Sequence, residues 1–358
     1  MFNKKSWSLV VALLTFTLLL AACGGNAGNG DSDNGAESGD GEITLKFAHE
    51  EGDGDVQDLY AKKFKEIIEE KSDGKINVDI YTAGTLGTNM DVLQSLQTGA
   101  IELAITSPGF SGDVIPESQI MAIPFLFSDN LEVNQKVLNE SEALYGPLAD
   151  KYGEKGLTPF KFWLEGFMWW TANEPLTTPE AMDGFKMRTM PTSLIISAYE
   201  MMGANPTPTD SGEIYTMLQT KGIDGQENPL FYIYSSHFHE VQDYLMDSKH
   251  HIYTTVTAAN QDFFESLPEE DQQLIREVVD EVNDWSFEMQ DEESQKALDA
   301  IQEEDIEVIE LTDEEREAFK ELSLPARQQF VDEVGEDAKE ILETLEKEIE
   351  EAEAELSN

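Results

Sequence analysis

From Ile43 onward the chain alternates apolar and polar positions in short runs separated by helical spacings. Ile43-Thr44-Leu45-Lys46-Phe47-Ala48 predicts a strand that ends at His49-Glu50-Glu51-Gly52, and Val56 to Lys71 carries the three-to-four-residue spacing of a helix. Ile76 to Tyr81 repeats the strand pattern, Met90 to Thr98 the helical one, and Ile101 to Thr106 reads as a third strand running into Ser107-Pro108-Gly109-Phe110. Strands alternating with helices of this length predict crossover units and a mostly parallel sheet. Ligands in such sheets sit beyond the carboxyl ends of the strands, which singles out Glu50 and Phe110 by topology. A second α/β pattern starts near residue 160. Phe160 to Ala172 and Phe185 to Arg188 read as strands, Ser193 to Met202 and Ser211 to Thr220 as helices, and Ile223 to Asn228 as a strand entering a loop. No Pro/Gly-rich linker separates the two patterns, so they predict an intimate pair of lobes with a site between them. Beyond Pro268 the chain reads as helical, and Phe330, Val334, Ile341, Leu342, Leu345 and Ile349 form one apolar stripe expected to pack on the lobes.

Composition narrows the class. The 358 residues suffice for about two domains of roughly 150 residues each. With 73 acidic against 23 basic side chains the formal net charge is -50, but 40% hydrophobic and 9% aromatic content excludes a disordered polyanion. The same charge argues against nucleic-acid binding, which needs basic stripes. Acid spread along the whole chain suits a salty or alkaline medium, where screening relieves self-repulsion.

The single cysteine excludes an intramolecular disulfide framework and a cysteine-built zinc site. Lys4 and Lys5, the apolar run from Trp7 to Leu20 and the small residues after it form an export signal too short for a membrane span. Leu20-Ala21-Ala22-Cys23, followed by Gly24, resembles the bacterial lipobox, which implies removal of residues 1–22 and a lipid on Cys23. Residues 24–42 are a Gly, Asn, Asp and Ser tether.

Enzyme machinery is hard to find. The sequence carries no nucleophile elbow, phosphate loop, dinucleotide fingerprint or zincin motif. His237-x-His239 and His250-His251 lack a third ligand in sequence and read as incidental, so no metal and no cofactor are expected. Arg188, in Lys186-Met187-Arg188-Thr189-Met190-Pro191, is a cation at the end of a short strand. Its guanidinium fork suits a carboxylate, and it equally suits one of the many neighbouring acids.

Several ordered motifs carry a resemblance. They are Tyr81 to Gly87, Leu93 to Ala104, Ile123-Pro124-Phe125-Leu126-Phe127, Lys186 to Pro191, and Gly212 through Gly225-Gln226-Glu227-Asn228-Pro229. Together they resemble the solute-binding proteins of TRAP transporters, the dicarboxylate-binding family, from about Ile43 to the C-terminus. The resemblance implies a two-lobed, periplasmic-binding-protein-like α/β fold with a central cleft, mixed and mostly parallel sheets and long C-terminal helices. Lobe I would span 43–165 with about 254–293, and lobe II 166–253 with about 294–358.

By the same resemblance Arg188 clamps the ligand carboxylate and Asn228 helps to hold it. Glu50 stands where some members meet a ligand cation, Phe110 enters the same space, and Tyr232 forms a wall. Two positions depart from the pattern: Met168 replaces the arginine of a Gly-x-Arg motif, and Ser211 replaces an aromatic residue. One arginine in place of two argues against a strongly anionic ligand. Trp170, on the same strand face as Met168, is expected in the cleft and Trp169 in the core. The implied protein is a lipid-anchored extracytoplasmic monomer that captures a small organic acid or zwitterionic compatible solute and delivers it to TRAP permease subunits. A ligand-sensing receptor subunit and a secreted enzyme acting on organic acids are the alternative readings.

Overall fold

A computed structural model describes residues 41–357, and the predicted signal segment, Cys23 and nearly all of the tether lie outside the described residues. Strand β1 (Ile43–Ala48) is followed by the helix Val56–Lys71 and by β2 (Ile76–Tyr81), which pairs with β1 in parallel. The helix forms as its spacing dictates, burying Val56, Tyr60, Phe64, Ile67 and Ile68. Thr88 caps the next helix, Asn89–Gln97, in a reciprocal box with Asp91. Strand β3 (Leu103–Thr106) then adds to β1 in parallel, and its Pro-Gly-Phe-Ser continuation is a single helical turn, Pro108–Ser111.

Two longer strands cross the molecule. Strand β4 (Leu157–Ala172) runs antiparallel to β9 (Ile252–Asn260) up to Phe167, then pairs from Met168 onward with β7 (Gly225–Pro229) and β8 (Tyr244–Asp247). The remaining strands are the parallel pair β5 (Arg188–Thr189) and β6 (Thr207–Pro208), and β10 (Glu307–Glu310), parallel to β8. The main sheet reads β10-β8-β4-β9-β3-β1-β2, with β7 also on β4. It is mixed: the crossover units predicted near the N-terminus are parallel, and every pairing that β4 or β9 makes is antiparallel.

The switch of partners on β4 falls at a bulge. Register shifts between Leu164 and Phe167, Gly166 takes φ of 100°, and Glu165 beside it is fully buried. Bulges bend a strand and re-aim its side chains, and this one turns β4 from the first half of the sheet into the second.

Alternation along the strands divides the core. Leu45, Phe47, Leu103 and Ile105 face the cluster that includes the helix Val56–Lys71, and Ala48 and Ala104 face the other side. The second half has its own cluster around Met168, Trp170, Met187, Tyr199, Met246 and Phe319. The 33-residue helix Glu269–Ile301 packs on the helix Val56–Lys71, on β4 and on the helix Leu230–Ser235, so it ties both halves. The predicted C-terminal stripe packs into the first half, with Phe330, Ile341, Leu342, Leu345 and Ile349 buried and Val334 half-buried against them.

Candidate solute-binding site

The carboxyl ends of β1, β3, β5 and β7 converge on a narrow cavity with about 330 Å³ of atom-free space, part of it open to solvent. Glu50, Glu51, Asn89 and Phe110 wall it from the first half. Arg188, Met190, Ser211, Asn228 and Tyr232 wall it from the second, and Tyr253 of β9 adjoins. The halves approach closely here, since a Cβ on Gly109 would stand 2.2 Å from Met190 Sδ.

Arg188 is 1% exposed. Its Nε and Nη2 both donate to the Thr209 carbonyl, at 3.0 and 2.7 Å, which fixes the fork and leaves Nη1 uncommitted. Among the described residues it has no carboxylate within 4 Å, so it is not the neutraliser of a neighbouring acid. Burial pulls its pKa down, and Tyr232 and Glu227 act in the opposite direction.

Carboxyls face it. Glu50 is 4% exposed, its Oε2 has no hydrogen-bond partner among the described residues, and burial pushes its pKa up to about 8. Gln57, in the first turn of the helix Val56–Lys71, organises this side. Its Oε1 accepts from Glu50 N at 2.8 Å, its backbone N–H donates to Glu51 Oε2 at 2.9 Å, and its Nε2 donates to Glu165 Oε1 at 3.0 Å. Burial and then the neighbouring Glu165 push Glu51 well above the usual carboxylate range, and burial lifts Glu165 to about 7. None of the three acids has a Lys or Arg within 4 Å among the described residues. A buried carboxyl without a cation keeps its proton until a cation arrives.

Behind the arginine lies a second polar system. Glu227 accepts from His250 Nε2 at 2.7 Å and from the Tyr199 hydroxyl, which itself accepts from Trp170 Nε1 at 2.8 Å. Although burial opposes it, the His250 bond leads the effects that hold Glu227 below its ordinary value.

Glu50, Phe110, Arg188, Ser211, Asn228 and Tyr232 therefore meet around one cavity, and Met168 and Trp170 do not. Both of the latter are fully buried in the second-half core, Trp170 against His250 and Phe319. Cross-strand partners share a face, and β4 pairs Trp169 with Asn228 and Trp170 with Glu227. Trp169 does not line the cavity either: it is half-buried and packs beside the core cluster that receives Tyr232. The expectation that Trp170 enters the cleft is overturned, since Met168 and Trp170 pack into the second-half core and the cavity is lined by other residues.

Glu51, Asn89, Met190 and Tyr253 were missed. Met190 stands two positions from Arg188 in extended chain and could have been inferred from that period, while Tyr253 sits in a strand buried throughout and carries no pattern. Among the described residues the one group with metal-ligand geometry, His237, His239 and Glu240, does not line this cavity. A larger groove with about 1150 Å³ of atom-free space, part of it open to solvent, lies between residues 125–129 and the helices Asp313–Ser323 and Glu336–Leu356. Its cations are engaged already: Arg316 grips Asp129, and Arg327 binds Glu346 and the Phe125 carbonyl.

A cavity walled from two halves of a sheet, with a buried cation opposite buried acids, is that of a small-solute-binding protein. The family model for bacterial extracellular solute-binding proteins, family 7, matches residues 47–334. The chain is 40% identical over 300 residues to the ectoine-binding periplasmic protein TeaA of Halomonas elongata, covering 83% of this chain and 87% of that one. It is 36% identical over 304 residues to the ectoine/5-hydroxyectoine-binding periplasmic protein UehA of Ruegeria pomeroyi, covering 84% and 89%. The solved structure of the ectoine-binding protein from the TeaABC TRAP transporter of Halomonas elongata matches with a TM-score of 0.83 at 38% identity, over 86% of this chain and 99% of that one. The chain belongs to the family 7 extracellular solute-binding proteins, the binding components of TRAP transporters to which the sequence motifs pointed. Its task is binding rather than catalysis, outside the cytoplasm.

Proposed function

We propose that this protein captures a small zwitterion of the compatible-solute class, with ectoine as the representative, and hands it to TRAP permease subunits. The observation that carries this reading is the pairing across one cavity of an unneutralised guanidinium, Arg188, with the uncompensated carboxyls Glu50 and Glu51. A carboxylate on the free edge of Arg188 and a cationic ring near the acids satisfy both sides at once. Tyr232, Phe110 and Tyr253 supply apolar walls for a compact ring, and Asn228 and Ser211 supply polar contacts. A dicarboxylate brings no cation to draw the protons from these acids, and its second charge would be desolvated beside them without a basic partner. That TeaA and UehA are ectoine-binding proteins supports the same choice.

Because the ligand touches both halves only when they are closed, its differential affinity drives closure, with β4 and β9 as the crossing strands between lobes divided near 165 and 253. The protein works as a monomer held at the outer face of the membrane by lipid on Cys23. Among the described residues no helix is long and apolar enough to cross a membrane. Mass spectrometry of the N-terminal peptide from membrane fractions tests the lipid.

Calorimetry on Arg188→Ala tests the site. The variant should lose at least about 2 kcal/mol of ectoine affinity, the cost of removing a charged hydrogen-bond partner, while keeping its circular dichroism. Unchanged affinity in a folded variant would overturn the clamp.

A further inference from the structure

The segment after the cavity wall carries a cluster that binding of a zwitterion does not use. The helix Leu230–Ser235, which bears Tyr232, ends at Ser236, and His237 follows with φ of 61°. Histidine is among the residues that tolerate the left-handed region, and here that conformation ends the helix and turns the chain into the next segment. The short helical turn Phe238–Val241 comes next, with i→i+3 geometry that sets residues three apart on one side. His237 Nδ1 thereby lies 3.0 Å from Glu240 Oε1. His239 joins them, so that one ligand atom from each of His237, His239 and Glu240 lies within 4.8 Å of the others. The sequence suggested no third ligand because positions 237 and 239 share a face only in a strand, and this turn is not one.

His239 is 8% exposed and pre-oriented. Its ring stacks on Tyr234 at 5.0 Å and 21°, and Nδ1 donates to the Ile233 carbonyl at 3.4 Å. A carbonyl accepting from one ring nitrogen fixes the tautomer and leaves the lone pair of Nε2 for an ion, as metal-bound histidines are held elsewhere. His237 and Glu240 are exposed, at 64% and 53%, which gives an ion an entry path.

We propose that His237, His239 and Glu240 form a binding site for a borderline divalent transition ion of the zinc class. Bonds of about 2.0–2.2 Å to nitrogen and oxygen need only small rotations of the two exposed side chains to bring the three donors around one centre. Two imidazoles select such an ion over magnesium or calcium, which prefer oxygen. The net charge of -50 raises the local concentration of any divalent cation. An ion here braces the turn against the cavity wall, because Phe238 packs edge-on against Tyr232 at 5.9 Å.

Isothermal calorimetry of the purified chain with zinc chloride, in excess magnesium to occupy surface acids, tests the site. One saturable zinc per chain is expected, weakened at least about tenfold in His237→Ala and in Glu240→Gln and abolished in His237→Ala/His239→Ala. Should the buried His239 be needed for folding, the exposed His237→Ala carries the result alone, with circular dichroism as the control. No saturable zinc in magnesium, or zinc bound equally well by folded His237→Ala and Glu240→Gln, overturns the proposal.

Discussion

Arg188 and Glu50 face one cavity, neither has an ion-pair partner among the described residues, and the ionisation of Glu50 should therefore answer to the ligand. Burial holds Glu50 at about 8 against an ordinary 4.5, so the folded chain keeps a proton that the unfolded chain releases. The stability linked to that proton is full below 4.5 and is lost as pH rises through about 8. Glu50→Gln removes the titration, so between pH 5 and 9 urea denaturation should show a shallower loss of stability in the variant; equal slopes would contradict the assignment. A cationic ligand group favours ionised Glu50, so zwitterion affinity should rise from pH 6 to 8 with proton release, and Glu50→Gln should reduce that rise to the part contributed by Glu51 and Glu165. A plain monocarboxylate should show neither effect. Of the residues around the cavity, Arg188 and Asn228 were legible from family motifs and Glu50 from its place just beyond the first strand. Glu51 was not, since in a chain with 73 acids an adjacent pair discriminates nothing until Gln57 is seen to bind one side chain and the other's backbone.

Element boundaries on the N-terminal strands and helices followed from periodicity because each buries one face of a local unit. β4 did not follow so simply. A 16-residue strand that changes partners at a bulge is covered on both faces, so its alternation did not tell that Met168 and Trp170 belong to the core and not to the cleft. The bulge depends on Gly166. Its φ of 100° is one that other residues adopt only under strain, and an added Cβ would stand 3.1 Å from Gln290 Oε1. Gly166→Ala should cost about 1–3 kcal/mol in denaturant unfolding and, by re-aiming Glu165 away from Gln57, also weaken the ligand. A variant as stable as the parent would show that β4 crosses between the halves without this bend.

At the scale of the molecule, 73 acids against 23 bases make self-repulsion a standing cost that few internal pairs offset. Among the described residues many ion pairs join exposed or half-exposed neighbours one helical turn apart, as in Lys136–Glu140 and Lys347–Glu351, and such pairs contribute little. The outward acids of the helix Glu336–Leu356 rest on a buried stripe, so salt should act on the charge and spare the packing. Raising sodium chloride from 0.1 to 1 M shortens the screening length from about 10 to 3 Å and should lift the unfolding temperature by at least about 3 °C. A flat response would remove the link between composition and medium. The choice of solute is tested most directly by calorimetric titration of the purified chain with ectoine and with succinate under identical conditions. Ectoine should bind with a micromolar or tighter dissociation constant and succinate at least about a hundredfold more weakly, a gap of about 2.7 kcal/mol. Succinate binding as tightly as ectoine would contradict an arginine set opposite acids as the determinant of the site.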